Sequence, residues 1–232
     1  MAPLLELTDR RSVYSQTVGR YVKLEAVNKR LERGQATRAT LIDVATELFA
    51  ANGYDATAIP AVLGAAGVSR GALYHHFESK EALFEAVLRS VEAQATIKVT
   101  HAARDAADPL DGLRRGCAAY LAMCRDPIVR QISLIDAPAV VGWERWRQID
   151  EEHAFGLVKA AIAAIAAQGR VRPELVDVMA HMVLAALLEV ALLVARSDEG
   201  RLAIRRGQEA IDELLTALFA WRAGDAGGPT GS

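Results

Sequence analysis

Apolar residues recur at helical spacing in every long segment of the chain. One stripe comprises Leu41, Val44, Ala45, Leu48 and Phe49. Positions three or four apart share a helix face, whereas no segment alternates with period two as a half-buried strand does. The pattern therefore predicts an all-α protein. Helices are predicted over 37–51, 58–65, 69–76, 80–99, 109–124, 127–134, 142–168, 173–196 and 201–222.

Prolines mark where several of these helices begin and end. Asp108 precedes Pro109, an arrangement typical of an N-cap followed by proline at the first helical position. Pro127 and Pro138 predict one short helix enclosed by two loops. We predict that the chain is divided into four units. They are an N-terminal extension (1–34), a first helical domain (35–95), a second helical domain (96–222) and a disordered Gly-rich tail (223–232).

The segment 173–196 is apolar on almost every side. Because His181 and Glu189 interrupt it, we expect a buried helix of a soluble protein and no membrane span. Two apolar helices from each of two chains would form a four-helix bundle. We therefore predict a homodimer through 173–222, with a wholly intramolecular core as the alternative.

Composition and charge exclude several classes of protein. With 52% hydrophobic residues in 232, the chain is neither disordered nor fibrous. A net charge of −2 excludes a protein that coats nucleic acid through overall positive charge. Two cysteines, Cys117 and Cys124, are too few for a disulfide framework or a four-thiolate zinc site. Residues 1–30 contain no secretory signal, so we expect a cytoplasmic protein.

Residues 57–80 predict a helix-turn-helix. Thr57 is positioned to cap a first short helix, and Ser69 to cap a second. Gly67 supplies the positive φ of a tight turn, and Val68 an apolar contact at the junction. Two helices joined in this way form the DNA-binding motif whose second helix enters the major groove.

The second of these helices has side chains suited to reading DNA. Arg70 can donate two hydrogen bonds to guanine, while Gly71 and Ala72 leave room for close approach to the bases. The hydroxyl of Tyr74, together with the side chains of His76 and Lys80, can bind phosphate groups.

Residues 37–88 resemble the DNA-binding domain of the TetR family of transcriptional regulators. The resemblance is carried by Arg38, Asn52-Gly53-Tyr54, Thr57, Ala66-Gly67-Val68-Ser69, Leu73-Tyr74-His75-His76-Phe77 and Lys80-Glu81-Ala82-Leu83-Phe84. It implies an all-helical homodimeric repressor with a small-molecule pocket in its C-terminal domain. Pro60 and Val62-Leu63 depart from the family pattern and alter the packing between the two short helices.

The resemblance also implies two sets of DNA contacts. Facing the bases would be Ser69, Arg70, Gly71, Ala72 and His75. Holding phosphates would be Arg38, Thr57, Tyr74, His76 and Lys80. The first domain (35–95) is thus predicted to bind an operator in double-stranded DNA, and the second (96–222) to bind an effector and to dimerise.

Two features near this motif have a second interpretation. Adjacent His75 and His76 suggest a metal, but neighbouring side chains on a helix point about 100° apart, so we predict no metal site and no cofactor. Residues 20–40 hold six basic and two acidic side chains, and 13–33 are compatible with a further helix. This segment either adds phosphate contacts or is a solvated charged arm.

The second domain contains no catalytic motif, and we predict no enzymatic activity. The acid–histidine run 150–153 lies on consecutive helix positions and suits a solvated face. An apolar pocket for a hydrophobic or aromatic effector is predicted from amphipathic side chains. Its candidate residues are Tyr120, Cys124, Trp143, Trp146, Phe155, His181 and Met182. A packed core made of the same side chains is the alternative. A helical ligand carrier without DNA binding is the alternative function.

Overall fold

The computed structural model describes residues 31–220, and that part of the chain contains helices and no strand. The first helix, α1, occupies 31–52 of the described residues. The others are α2 (Ile59–Ala66), α3 (Arg70–His76), α4 (Lys80–Ala103), α5 (Pro109–Met123), α6 (Ala137–Val140), α7 (Trp143–Ala167), α8 (Val176–Arg196) and α9 (Arg201–Phe219). The predicted all-α fold is confirmed. The predictions for 1–30 and for the tail after 220 lie outside the described residues.

The region between α5 and α7 differs from the prediction. In place of one helix over 127–134, a π-helical segment (Val129–Asp136) leads directly into α6. Pro138 does not end the helix, because the helical backbone continues from the π-helical segment through Ala137 into α6. The expected loop before Pro138 is therefore wrong.

A long helix joins the two halves of the fold. The N-terminal part of α4 packs on α1, where Phe84 meets Phe49 edge to face with ring centroids 5.3 Å apart. Its C-terminal part packs on α5 and α7. Because α4 continues through residues 95 and 96, the division proposed there stays a prediction.

The predicted start of α5 is confirmed in detail. The Asp108 carboxylate accepts a hydrogen bond from the backbone N–H of Asp111 at 2.9 Å, and Pro109 occupies the first turn. This cap fixes where the chain turns after α4, and α5 runs back along α4 from that point.

The apolar segment 173–196 forms a helix that packs against the core on one side only. It begins with a 3-10 turn (Pro173–Leu175) and continues as α8. Pro173–Arg196 is long and apolar enough to cross a membrane, with a mean hydropathy of 2.3, but half of that window is buried within the fold. The helix thus contributes one side to the core, and the complete burial that its apolar pattern predicts is not met within the single chain.

The close approach of α8 and α9 depends on Gly207, which has no side chain. A methyl group on Gly207 would lie 2.9 Å from Cγ1 of Val190 and 3.1 Å from Cγ2 of Val194. We expect Gly207→Ala to lower the free energy of unfolding by about 1–3 kcal/mol, because the stiff valines leave no room for the methyl group. Urea denaturation measures this change.

The matched control is a glycine in the interior of α7. A methyl group on Gly156 meets nothing within 4 Å, so Gly156→Ala should raise the free energy of unfolding by about 0.5–1 kcal/mol through helix propensity alone. If Gly207→Ala stabilised the protein as much as Gly156→Ala does, close packing of α8 on α9 would be refuted.

Candidate DNA-binding surface and effector cavity

The turn between α2 and α3 has the geometry that the sequence predicts. Gly67 closes α2 in the left-handed conformation with φ 65°, and the side chain of Ser69 accepts a hydrogen bond from the backbone N–H of Ala72 at 3.2 Å. Val68 packs against the core at the junction. The turn residue and the α3 cap are therefore confirmed.

Thr57 does not cap α2. The N-cap is Ala58, which offers no side-chain hydrogen bond, and Thr57 is only 2% exposed. Its hydroxyl instead donates toward the carbonyl oxygens of Gly53 at 2.8 Å and Leu48 at 3.1 Å. The capping prediction is wrong, and the hydroxyl proposed for phosphate binding is directed into the α1–α2 turn.

The α3 helix is buried along one side and open along the other. Leu73 is fully buried and Phe77 is 4% exposed, as predicted for its inner face. The predicted base-reading and phosphate-binding side chains of α3 are accessible to differing degrees. Exposed are Ser69, Arg70, Gly71, Tyr74 and His75, while Ala72 and His76 are half-buried. Arg70 lies over the Tyr74 ring, with its guanidinium carbon 5.5 Å from the ring centroid.

The two cationic side chains predicted to support phosphate binding also have partners within the protein. Arg38 lies over the ring of Phe77, 5.1 Å from its centroid. Lys80 donates a hydrogen bond from Nζ to the carbonyl oxygen of Tyr54 and lies 4.0 Å above the Tyr54 ring. The first contact ties the end of α3 to α1, and the second ties the start of α4 to the turn after α1, roles that the motif positions did not predict.

Within residues 31–220, no group of three His, Cys, Asp or Glu side chains is arranged to hold a metal ion. His75 and His76 have ring centroids 5.2 Å apart at an angle of 66°, an edge-to-face arrangement.

A large cavity lies in the second half of the fold. It has a volume of about 690 Å³ and is lined by α4, α5, α7, α8 and the segment between α4 and α5. This volume suits a drug-sized organic molecule. Small side chains create the space, among them Gly112, Gly116, Ala154, Ala161 and Ala164.

The cavity is not where most of the predicted effector residues lie. Of the seven, Tyr120 is in its wall, and the other six are outside it. Cys124 and Trp146 are buried in the core, whereas Trp143 and Met182 are 52% and 53% exposed. Phe155 and His181 stack on each other, with ring centroids 4.3 Å apart.

The reason for this difference is physical. Aromatic side chains fill a core, whereas a cavity forms where opposed helices present small ones. The signal available in the sequence was therefore the spacing of glycine and alanine: Gly112 and Gly116 are four apart on α5, and Ala154 and Ala161 are seven apart on α7.

Two carboxyl groups lie in the cavity wall. The sequence pattern did not single out Glu92, and it placed Asp150 on a solvated face. Glu92 of α4 is 6% exposed and Asp150 of α7 is 5% exposed. Burial, followed by the nearby charge of Asp150, raises the pKa of Glu92 to about 7. Ser133 partly offsets this shift, although its hydroxyl forms no hydrogen bond of regular geometry. Burial raises the pKa of Asp150 to about 6.

The acid–histidine run 150–153 therefore does not form one solvated face. Asp150 points inward, whereas Glu151 pairs with Arg147 at 3.2 Å and Glu152 with Arg89 at 2.6 Å. The prediction was wrong for Asp150. The ion-pair partners of Glu151 and Glu152 are these arginines.

A hydrogen-bonded link joins the two halves of the fold at the end of the π-helical segment. The Asp136 carboxylate accepts a hydrogen bond from the backbone N–H of Tyr54 at 2.8 Å and another from the Gln131 amide at 2.9 Å. Tyr54 follows α1, and its carbonyl oxygen is the acceptor for Lys80 at the start of α4. The second half of the fold thereby holds the turn that leads into α2.

Comparison with known proteins identifies both halves. Residues 41–87 match the family model described as bacterial regulatory proteins, tetR family. Residues 110–218 match the model described as the tetracyclin repressor-like C-terminal domain. The two matched ranges together cover about two thirds of the chain. The chain belongs to the TetR family. It is a DNA-binding transcriptional regulator.

Individual relatives agree with this TetR-family assignment. The Transposon Tn10 TetC protein of Escherichia coli is 25% identical over 189 residues, which cover 80% of this chain and 92% of that protein. The transcriptional regulator AcrR of Shigella flexneri is 36% identical over 87 residues, or 37% of this chain and 40% of its own length. A TetR-family regulator from Pectobacterium atrosepticum has a crystal structure with a TM-score of 0.72 and 29% identity, covering 82% of this chain and 98% of that one.

Proposed function

We propose that this regulator is a cytoplasmic, ligand-released repressor that binds an inverted-repeat operator as a homodimer. The observation that carries the proposal is α3 itself, a short capped helix with its apolar side buried and an arginine, a tyrosine and a histidine exposed on the other side. Such a helix fits the major groove, and Arg70 has the donors to recognise guanine.

Exposed apolar side chains on α8 support the dimer. Val178, Met182 and Leu193 are each more than half exposed in the single chain. Their spacings of four and eleven residues put them on one stripe of α8, and Leu214 of α9 is also exposed. Pairing two such surfaces would cover an apolar patch that a monomer leaves in water.

The cavity and the Asp136 link support release by an effector. Ser133 lies on the same π-helical segment as Asp136 and near Glu92 in the cavity wall. A ligand that repositions this segment would move the Tyr54 turn, and with it α2 and α3. Only a difference in ligand affinity between the two arrangements can drive this shift, with a coupling of about 1–3 kcal/mol.

One experiment tests the proposal. From a pool of random duplexes, the purified protein should select an inverted repeat whose half-sites lie about 34–36 Å apart, and it should sediment as a dimer at micromolar concentration. Leu193→Glu should produce a monomer, because two carboxylates would face each other across the paired α8 surfaces, and it should lose the selected duplex.

The control is an equally exposed apolar residue on another helix. Ile97 of α4 is 68% exposed, and Ile97→Glu should remain dimeric and keep operator affinity. A wild-type protein that is monomeric, or that enriches no duplex over random competitor, would refute the proposal.

A further inference from the structure

Glu92 and Asp150 differ from the other carboxylates near them. On the surface of α4 and α7, Glu85 pairs with Arg89 and Arg145, and Glu152 pairs with Arg89. Within residues 31–220, neither Glu92 nor Asp150 has an ion-pair partner within 4.0 Å, although both are more than nine-tenths buried. They are thus two acidic side chains in one cavity wall, and neither has a cation of the described residues within ion-pair distance.

Burying a carboxylate without a partner is costly, so an empty cavity favours the protonated form. Burial together with mutual repulsion accounts for the raised pKa of Glu92, and no basic group of the described residues offsets it. For Asp150, the charge of Arg147 opposes the upward shift of the pKa, but burial outweighs it. A ligand with a positive charge would supply the missing counter-charge to both groups.

The third polar group in this part of the wall also suits a cation. Tyr120 lies deep in the fold and is accessible only in part, through the cavity. After burial, the charges of Glu92 and Asp150 are the next largest causes that raise its pKa, so it lies close to both and stays a neutral phenol. A neutral tyrosine ring attracts an ammonium group through its π face.

The rest of the cavity wall determines the polarity and the length of the ligand that would fit. Most of the wall is apolar, including Val99, Leu113, Leu157, Val158, Leu184 and Leu187. Glu92 and Arg104 both line the cavity and are twelve positions apart along the α4 direction, which corresponds to about 18 Å at the rise of an α-helix. The cavity is therefore elongated. Glu92 and Asp150 are buried, whereas Arg104 and Asp108 of the wall are exposed near the other end.

We propose that the effector is a hydrophobic organic cation, whose ammonium group binds Glu92 and Asp150 and whose apolar body extends along α4 toward Arg104. The proposal deepens the proposed function by giving the chemical class of the effector. An anionic amphiphile would place its charge correctly only at the Arg104 end, and a neutral alcohol would leave the two carboxyl groups without a counter-charge.

Binding of three probes with the same ten-carbon tail tests the charge preference. We expect isothermal titration at pH 7.5, below the aggregation concentration of each probe, to show n-decylamine binding at least tenfold more tightly than n-decanol, and decanoate binding most weakly. In the double variant Glu92→Gln/Asp150→Asn, the preference for the amine over the alcohol should fall to within about twofold.

Two controls keep the test specific. Glu144→Gln removes an exposed carboxylate from the same helix as Asp150 and should leave the preference unchanged. Operator binding by the double variant shows that it is folded. Equal binding of amine and alcohol by the wild type, tighter binding of decanoate, or an unchanged amine preference in the folded double variant would each overturn the proposal. Because the selected duplex is measured separately, a failure here is distinguishable from a failure to bind DNA.

Discussion

Arg70→Ala is expected to reduce the affinity of the dimer for its selected operator by at least about 30-fold. A bidentate arginine–guanine contact contributes about 1–3 kcal/mol, and a dimer makes it twice. Two contacts at the lower limit sum to about 2 kcal/mol, which corresponds to that factor. Arg70 is exposed in the first turn of α3 and is available for this contact. The loss should be concentrated at one base pair of each half-site, so substituting that pair should affect the wild type but not the variant.

Fluorescence anisotropy with labelled duplexes at fixed salt measures both effects. The matched control is Arg172→Ala, since Arg172 is 61% exposed, lies before α8, and makes only a 3.7 Å pair with Glu174. That variant should bind the operator like the wild type. An Arg70→Ala protein that keeps its affinity within twofold, or loses it equally on every sequence, would remove Arg70 from base recognition.

The parts of this molecule that were predictable from sequence are those that local chemistry determines. The α2–α3 turn depends on Gly67 adopting positive φ and on Ser69 capping α3, and both devices act within four residues. Thr57 was misassigned because a threonine just before a short helix has the residue type of an N-cap. Its hydroxyl is instead bound by the Gly53 carbonyl across the preceding turn.

The cavity was not predictable in the same way, because it depends on contacts between distant residues. Glu92 and Asp150 are 58 positions apart and meet only through the packing of α4 on α7. Asp150 also stands beside two surface acids, which conceals its inward direction. Since consecutive helix positions differ by about 100°, one member of such a run can face the core while its neighbours face water.

One segment connects the two halves of the fold. The helical spacing of apolar residues does not predict the geometry of this segment. The π-helical turn at Val129–Asp136 keeps helical hydrogen bonding while it widens the helix. It places Ser133 toward the cavity carboxyls and Asp136 on the Tyr54 turn. A rearrangement of this short segment would be felt at both sites, which makes it the place where we expect effector binding to be transmitted to α3.

The buried carboxyl groups lead to the second large effect, a stability that decreases as the pH rises. In the unfolded chain Glu92 and Asp150 ionise near their ordinary pKa values of 4.5 and 3.8, whereas in the folded protein the values are about 7 and about 6. Between these limits the folded state holds protons that the unfolded state has released. Folding is therefore favoured most at low pH, and this contribution is lost as the pH rises through 6 and 7.

The other groups that face this pair do not change the sign of the effect. From α5 and its end, Tyr120 and Cys124 are neutral across the window, because burial raises the pKa of Tyr120 well above its ordinary value and that of Cys124 to about 12. On α7, Arg147 and Glu151 act on Asp150 in opposite directions. The hydroxyl of Ser133 does not ionise in this pH range. The two carboxyl groups therefore account for the pH dependence.

We expect the ligand-free wild type to lose about 2–3 kcal/mol of unfolding free energy between pH 5.5 and pH 8, relative to Glu92→Gln/Asp150→Asn. The double variant keeps hydrogen-bonding side chains of the same size but has no charge to bury, so it should be the more stable protein at pH 8. Urea denaturation at fixed protein concentration measures both, and the comparison cancels the titration of the histidines. Glu144→Gln should follow the wild type at each pH. Parallel stability profiles for wild type and double variant would mean that the carboxyl groups titrate normally and that the cavity imposes no charge penalty on them.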